Sequence, residues 1–177
     1  MAEFTAGTWK IDTTHSEVGF TVRHLMSKVR GKFETFEGEI VTDSTGLASS
    51  ATATVELSSV NTGTEDRDNH LRSSDFFSVD ETPTMTFQST GIRDKGETYV
   101  ALGDLTIRGV TKPVELDVEV LGEGGDPWGG TRLGLEATTT ISRKEFGIDF
   151  NIPVSGDKLM IGDKVTIQLT VEAVLQA

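Results

Sequence analysis

The chain has 177 residues, with 16 Lys plus Arg against 28 Asp plus Glu, a formal charge of -12 and a sequence pI near 4.6. That sign excludes a nucleic-acid partner, which needs clustered cations to displace counterions, and disfavours an anionic membrane surface; the lack of cysteine excludes disulfides, thiol nucleophiles and Cys-based metal centres. The length suits one domain, 1–177, with a sizeable core, no stretch approaches the ~20 apolar residues of a membrane span, and Met1-Ala2-Glu3-Phe4-Thr5 carries no signal-peptide pattern, so the chain is expected to be cytoplasmic with no stable membrane anchor.

Trp9-Lys10-Ile11-Asp12 is a short strand signal, broken by Thr13-Thr14-His15-Ser16. From Val18 the alternation is clean: Val18, Phe20, Val22 and His24 share one face, Gly19, Thr21 and Arg23 the other. Ser27-Lys28-Val29-Arg30-Gly31 reads as a turn, after which Phe33, Phe36 and Ile40 resume an apolar face. The three-residue step from Phe33 to Phe36 predicts a β-bulge. Asp43-Ser44-Thr45-Gly46 is a turn, and Ala51, Ala53, Val55 and Leu57 then mark an inward face of small residues.

Thr64 to Ser78 is the one stretch that does not alternate. Thr64 as a capping hydroxyl, the early acids Glu65, Asp66 and Asp68, and Arg72 near the end predict a short helix. With only Leu71, Phe76 and Phe77 to anchor it, this helix must lie over a sheet edge or a barrel end, as a lid.

Pro83 opens a strand with Met85 and Phe87 on one face, and Arg93-Asp94-Lys95-Gly96 closes a hairpin. Tyr99, Ala101, Gly103, Leu105 and Ile107 line up in the next strand; Gly109 with Val110-Thr111-Lys112-Pro113 turns the chain back. Val114, Leu116, Val118 and Val120 alternate with Glu115, Asp117 and Glu119, a strand with one wet face. Gly122 to Gly130 is a glycine-rich loop, followed by a strand with Leu133, Leu135, Ala137, Thr139 and Ile141 inward. Glu145 to Gly162 is long for a structureless connection and marks a second lid. Val165, Ile167, Leu169, Val171 and Ala173 form the last strand.

Eight alternating strands, one short helix and no βαβ spacing predict an antiparallel all-β domain, barrel or sandwich. The barrel is favoured because inward Gly103, Ala101, Ala53, Ala51 and Ala137 are too small to meet across sheets packed ~10 Å apart, whereas an eight-stranded barrel has room for a small ligand.

The apolar set Val18, Phe20, Val22, Phe33, Phe36, Ile40, Met85, Phe87, Tyr99, Leu105, Leu135 and Leu169, with Phe76 and Phe77 beneath the helix, reads either as a packed core or as the wall of a channel. In a channel each methylene of a ligand leaving water is worth ~0.8 kcal/mol. Arg67-Asp68 reads as a surface ion pair or, with His70 on the same helix face, as a polar site at a mouth, joined by His24 and by Arg143, whose guanidinium fork suits a phosphate. A metal set of His15, His24, His70 and Asp68 lacks the HExxH spacing, and a Ser16 hydrolase lacks GxSxG.

The segments Ile11-Asp12-Thr13-Thr14-His15-Ser16-Glu17-Val18-Gly19-Phe20, Gly31-Lys32-Phe33, Arg67-Asp68-Asn69-His70-Leu71, Pro83-Thr84-Met85-Thr86-Phe87, Gly103 to Thr111, Asp126-Pro127-Trp128-Gly129-Gly130 and Ser142-Arg143-Lys144-Glu145-Phe146-Gly147, in this order, resemble the YceI-like family of lipocalin-like proteins. The resemblance spans nearly the whole chain; Phe150 departs from it, being Trp in some members. It implies an extended eight-stranded antiparallel lipocalin-like barrel with one short helix between strands, holding a long amphipathic lipid, typically a polyisoprenoid. The implied partner is a long-chain isoprenoid or fatty lipid that is carried or stored, with no catalysis, cofactor or metal. A rival reading is an enzyme acting on an isoprenoid or quinone through His70, Asp68 and Arg67; a third is an all-β interaction module with a filled interior. A homodimer is compatible with the sequence.

Overall fold

The computed structural model describes residues 4–45 and 48–177. β1 (Gly7–Ile11) and β2 (Glu17–His24) are two halves of one long stave, and β3 (Ser27–Phe33) and β4 (Phe36–Thr42) are halves of the next. β5 (Ala48–Glu56) continues through a 3-10 turn, Leu57–Ser59, into β6 (Val60–Asn61). The remainder is α1 (Glu65–Arg72), β7 (Thr84–Asp94), β8 (Tyr99–Ile107), β9 (Val110–Gly125), β10 (Thr131–Ser142), a 3-10 turn Arg143–Phe146, and β11 (Ile161–Leu175).

Each stave pairs antiparallel with the next one in sequence, and β11 closes the ring: Leu169 lies opposite Val18 on β2, and Ala173 opposite Ile11 on β1. The product is the predicted closed eight-stranded antiparallel barrel with one helix. Closure gives every stave a neighbour on both sides, although β3 meets β6 only at Lys32 and Phe33.

Several boundaries differ from the sequence reading. The first hairpin turns at Leu25-Met26, not at 27–31: Val29 faces Val22 within β3, and the left-handed turn position is filled by Leu25 (φ 54), a residue that carries no turn signal. The expected bulge at Phe33–Phe36 is a two-residue break, where the Glu34 and Thr35 amides donate to the Ser59 carbonyl (3.2 Å) and hydroxyl (3.0 Å). The turn near Gly109 is only Arg108-Gly109, both left-handed, so Pro113 already lies in β9 opposite Asp104. β9 runs on to Gly125, reducing the glycine-rich loop to Asp126–Gly130. The expected turn at Asp43 is held by the Asp43 carboxylate, which accepts from the Thr45 amide (2.9 Å); Gly46 lies outside the described residues. Thr64 stands at the α1 N-cap but makes no side-chain cap bond.

Two apolar clusters fill the ends of the barrel. Trp9, Leu133, Val171 and Ala173 close one end; Trp9 is fully buried and its indole N–H donates to Thr42 Oγ1 (2.9 Å), which in turn donates to the Thr5 carbonyl (2.7 Å). The other cluster, including Phe33, Leu57, Phe76 and Phe146, lies where α1 and the 147–160 loop cover the opposite end. Inward glycines are not simple gaps: the Phe87 ring lies over Gly103 and the Phe20 ring over Gly31, each too close for any Cβ.

Candidate functional site: an apolar tunnel and its mouth

Three cavities of about 170, 100 and 140 Å3 lie in series from the α1 end to the Trp9 end. The first and second share Val18, Met85 and Ile167 as walls; the second and third share Ile11, Ala53, Phe87, Leu116, Leu169 and Val171. Their surfaces are almost entirely apolar, and voids of that kind in a packed protein stay dry.

The fourteen apolar residues proposed from the sequence as a channel wall all line this series. Val18, Phe20, Val22, Phe33, Phe76, Phe77 and Met85 face the first cavity; Phe36, Phe87, Leu105 and Leu169 face the second; Ile40, Tyr99 and Leu135 face the third. Ala51, Ala53, Ala101 and Ala137 line the third as well, so the small inward residues do border empty space. Gly103 does not, because Phe87 covers it.

The polar residues divide. His24, Arg67, His70 and Arg143 line the first cavity. The His70 side chain is also 43% exposed, which puts the mouth beside it. Its ring packs edge-on against Phe76 (5.0 Å) and Phe150 (4.9 Å), and its Nε2 pairs with Asp75 (2.8 Å). Arg67 donates from Nε to Thr62 Oγ1 (2.7 Å) and from Nη2 to the Thr62 carbonyl (2.8 Å), leaving Nη1 uncommitted among the described residues.

Asp68 is buried away from the cavity wall. Its carboxylate accepts from the Thr62 amide (2.9 Å) and hydroxyl, so it fastens the start of α1 to the residues before it.

Arg143 is buried and reaches four main-chain carbonyls: Gly162 (2.8 Å), Ile148 (2.9 Å), Phe150 (2.9 Å) and Ile161 (3.3 Å). Burial pushes its pKa down, while the charges of Asp163 and Asp149 act the other way. It ties the 147–160 loop to the barrel end. That loop is a small hairpin, bridged at Pro153–Leu159 and fixed by Asn151, which accepts from the Ile161 amide (2.9 Å). Phe146, Ile148, Phe150 and Met160 bring this loop into the first cavity wall. The sequence marks 145–162 as a lid without assigning these side chains, and Phe146 and Phe150, its only aromatic residues, are the signal for them.

The residues of the metal reading are not gathered. Among the described residues one group has metal-like spacing, Asp12, His15 and Glu172, and Arg132 occupies it, donating to Asp12 (2.7 Å) and Glu172 (2.7 Å). Arg132 also reaches Asp126 (2.8 Å). The hydrogen bonds from Arg132 hold the Asp12 and Asp126 carboxyls below the usual carboxylate range and push the guanidinium up in return. No helix among the described residues is long and apolar enough to cross a membrane.

Comparison with known proteins agrees with this architecture. A UPF0312 protein of Photorhabdus laumondii is 43% identical over 145 residues, covering 80% of this chain and 76% of the relative. The crystal structure of a Campylobacter jejuni YCEI protein superposes with a TM-score of 0.75 at 31% identity, with all of both chains covered. A polyisoprenoid binding domain from Saccharophagus degradans superposes with a TM-score of 0.70 over 97% of this chain and 100% of that domain; at 16% identity it speaks for the fold alone. Residues 9–173 match the family description "YceI-like domain", and the chain belongs to that family.

Proposed function

We propose that the protein binds a long-chain amphipathic lipid of the polyisoprenoid class and acts as its carrier or store, without chemistry on it. The observation that carries this is the series of three apolar cavities along the barrel axis, running from the surface beside His70 toward the end where Trp9 is buried. A tail threading them needs no directional bonds and gains ~0.8 kcal/mol per methylene removed from water, offset by association and ordering losses. A polyisoprenoid tail is the choice because such a ligand is named for the Saccharophagus domain, which shares the fold, and because the cavities here are almost entirely apolar.

The head group sits at the mouth. The polar side chains left to meet it there are His24, Arg67 and His70, imidazoles and a guanidinium that suit a phosphate or a quinone carbonyl, whereas Arg143 is taken up by the loop carbonyls. The rival catalytic reading needs Asp68 beside His70, and Asp68 is engaged by Thr62 instead.

The test is titration with a polyprenol followed by native mass spectrometry. The wild-type chain takes up one molecule, and Leu135→Trp, which fills the third cavity, weakens uptake by at least about tenfold with the fold intact. Unchanged uptake in the variant would put the tail elsewhere.

A further inference from the structure

Six large apolar side chains stand well exposed among the described residues, and four of them lie together beside the mouth: Leu25 (46% exposed), Met26 (92%), Ile152 and Leu159. They are held by one backbone ladder. The Leu25 amide donates to the Met160 carbonyl (2.8 Å), the Met160 amide donates to the Ile152 carbonyl (3.0 Å), and Leu159 bridges Pro153. His24 and Met160, the immediate neighbours of this group, line the first cavity, so the apolar surface runs from the cavity wall to the outside.

The outer face of the same hairpin is basic. Arg23 and Lys28 sit directly opposite one another behind the Leu25-Met26 tip, and Arg30 and Lys32 follow on β3, all four exposed. Their cross-strand neighbours on that face are Thr21, Gly19 and Asn61, with Thr166 and Gln168 beyond on β11. The acids nearest this face are Glu17 at the far end of β2, which shares an outer groove with Arg30, Glu119 and Glu136, Glu34 just past Lys32, and Asp163 beyond Gly162, which is already engaged by Ser142 and the Lys144 amide. Asp157 and Lys158 on the facing loop offset each other in sign, so the cations are concentrated at the Leu25-Met26 end. A net charge of -12 therefore conceals a local cationic strip ending in an apolar tip.

We propose that this end of the barrel docks on an anionic lipid bilayer. Leu25 and Met26 enter between the head groups, and Arg23, Lys28, Arg30 and Lys32 meet the lipid phosphates. The purpose of the docking rests on the carrier reading: a chain too apolar to cross water moves between bilayer and cavity at the point of contact.

Flotation with phosphatidylcholine vesicles, with and without phosphatidylglycerol, tests it. The wild-type protein floats with the anionic vesicles, stays behind with the neutral ones, and is released by high salt. Met26→Ser, at a side chain that packs against almost nothing, lowers the bound fraction by roughly tenfold, and Lys28→Gln lowers it while making the remaining binding less dependent on salt. Leu135→Trp floats like the wild type, because docking does not depend on an open tunnel; a wild-type protein that floats but takes up no lipid would remove the carrier reading and leave the docking surface standing. Equal flotation of wild type and Met26→Ser overturns the proposal. So does a dimer in sedimentation velocity that Met26→Ser abolishes, since the patch would then be covered by a second copy.

Discussion

The ring of Phe87 on β7 occupies the space into which a side chain at Gly103 on β8 would grow. An added Cβ would also lie 2.8 Å from the Gln88 carbonyl oxygen. Gly31 gives the same room to Phe20, and Gly38 to Ile11. Three inward glycines thus let large side chains lie flat along the wall. This keeps the barrel axis open although its interior is rich in phenylalanine.

Gly103→Ala is expected to destabilise the barrel by roughly 1–3 kcal/mol through overpacking, read as a lower urea midpoint. Combining it with Phe87→Leu, which withdraws the ring edge but leaves the Gln88 carbonyl in place, restores part of the loss. A Gly103→Ala protein as stable as wild type would show that the ring does not rest there.

Arg132 contributes to the acid limb of stability through Asp12 and Asp126. Asp12 and Asp126 are depressed in the folded state, so their contribution is present above the ordinary carboxylate value of 3.8 and is lost as pH falls below it. Wild type should therefore lose stability steeply between about pH 5 and about pH 2. Arg132→Gln should start lower at neutral pH and fall less, the two curves converging in acid. Parallel curves of urea midpoint against pH would contradict this.

Arg143→Gln should release the 147–160 loop. Losing a buried cation that satisfies four carbonyls is expected to cost roughly 2–4 kcal/mol, and Arg143→Lys should not rescue it, because an ammonium lacks the planar fork. Hydrogen exchange would speed up across residues 148–161 and remain slow in β8 and β9. Uniform acceleration over the whole barrel would show that Arg143 does more than hold the loop.

Much of this fold is legible in period-two alternation: the apolar faces of β2, β8, β9, β10 and β11 follow from residue spacing, because a barrel wall has one dry side. The turn at Leu25-Met26 is not, since a leucine in a left-handed position carries no turn signature. Nor is the plug at Trp9, which reads locally as a short strand and acquires its role only when β11 closes the ring. At the mouth, residue type identified His24, Arg67, His70 and Arg143 as neighbours of the first cavity. It did not reveal that Asp68 turns back to Thr62, or that Arg143 spends its donors on carbonyls, because both depend on chain paths through loops that alternation does not describe.

The most direct test of the tunnel as a lipid site is organic-solvent extraction of protein purified without detergent, followed by mass spectrometry of the extract and of the intact native protein. The expected result is one apolar chain molecule per protein, released on denaturation, with Leu135→Trp recovered empty. A clean extract from wild type, together with a native mass equal to that of the polypeptide even after incubation with polyprenol, would contradict it.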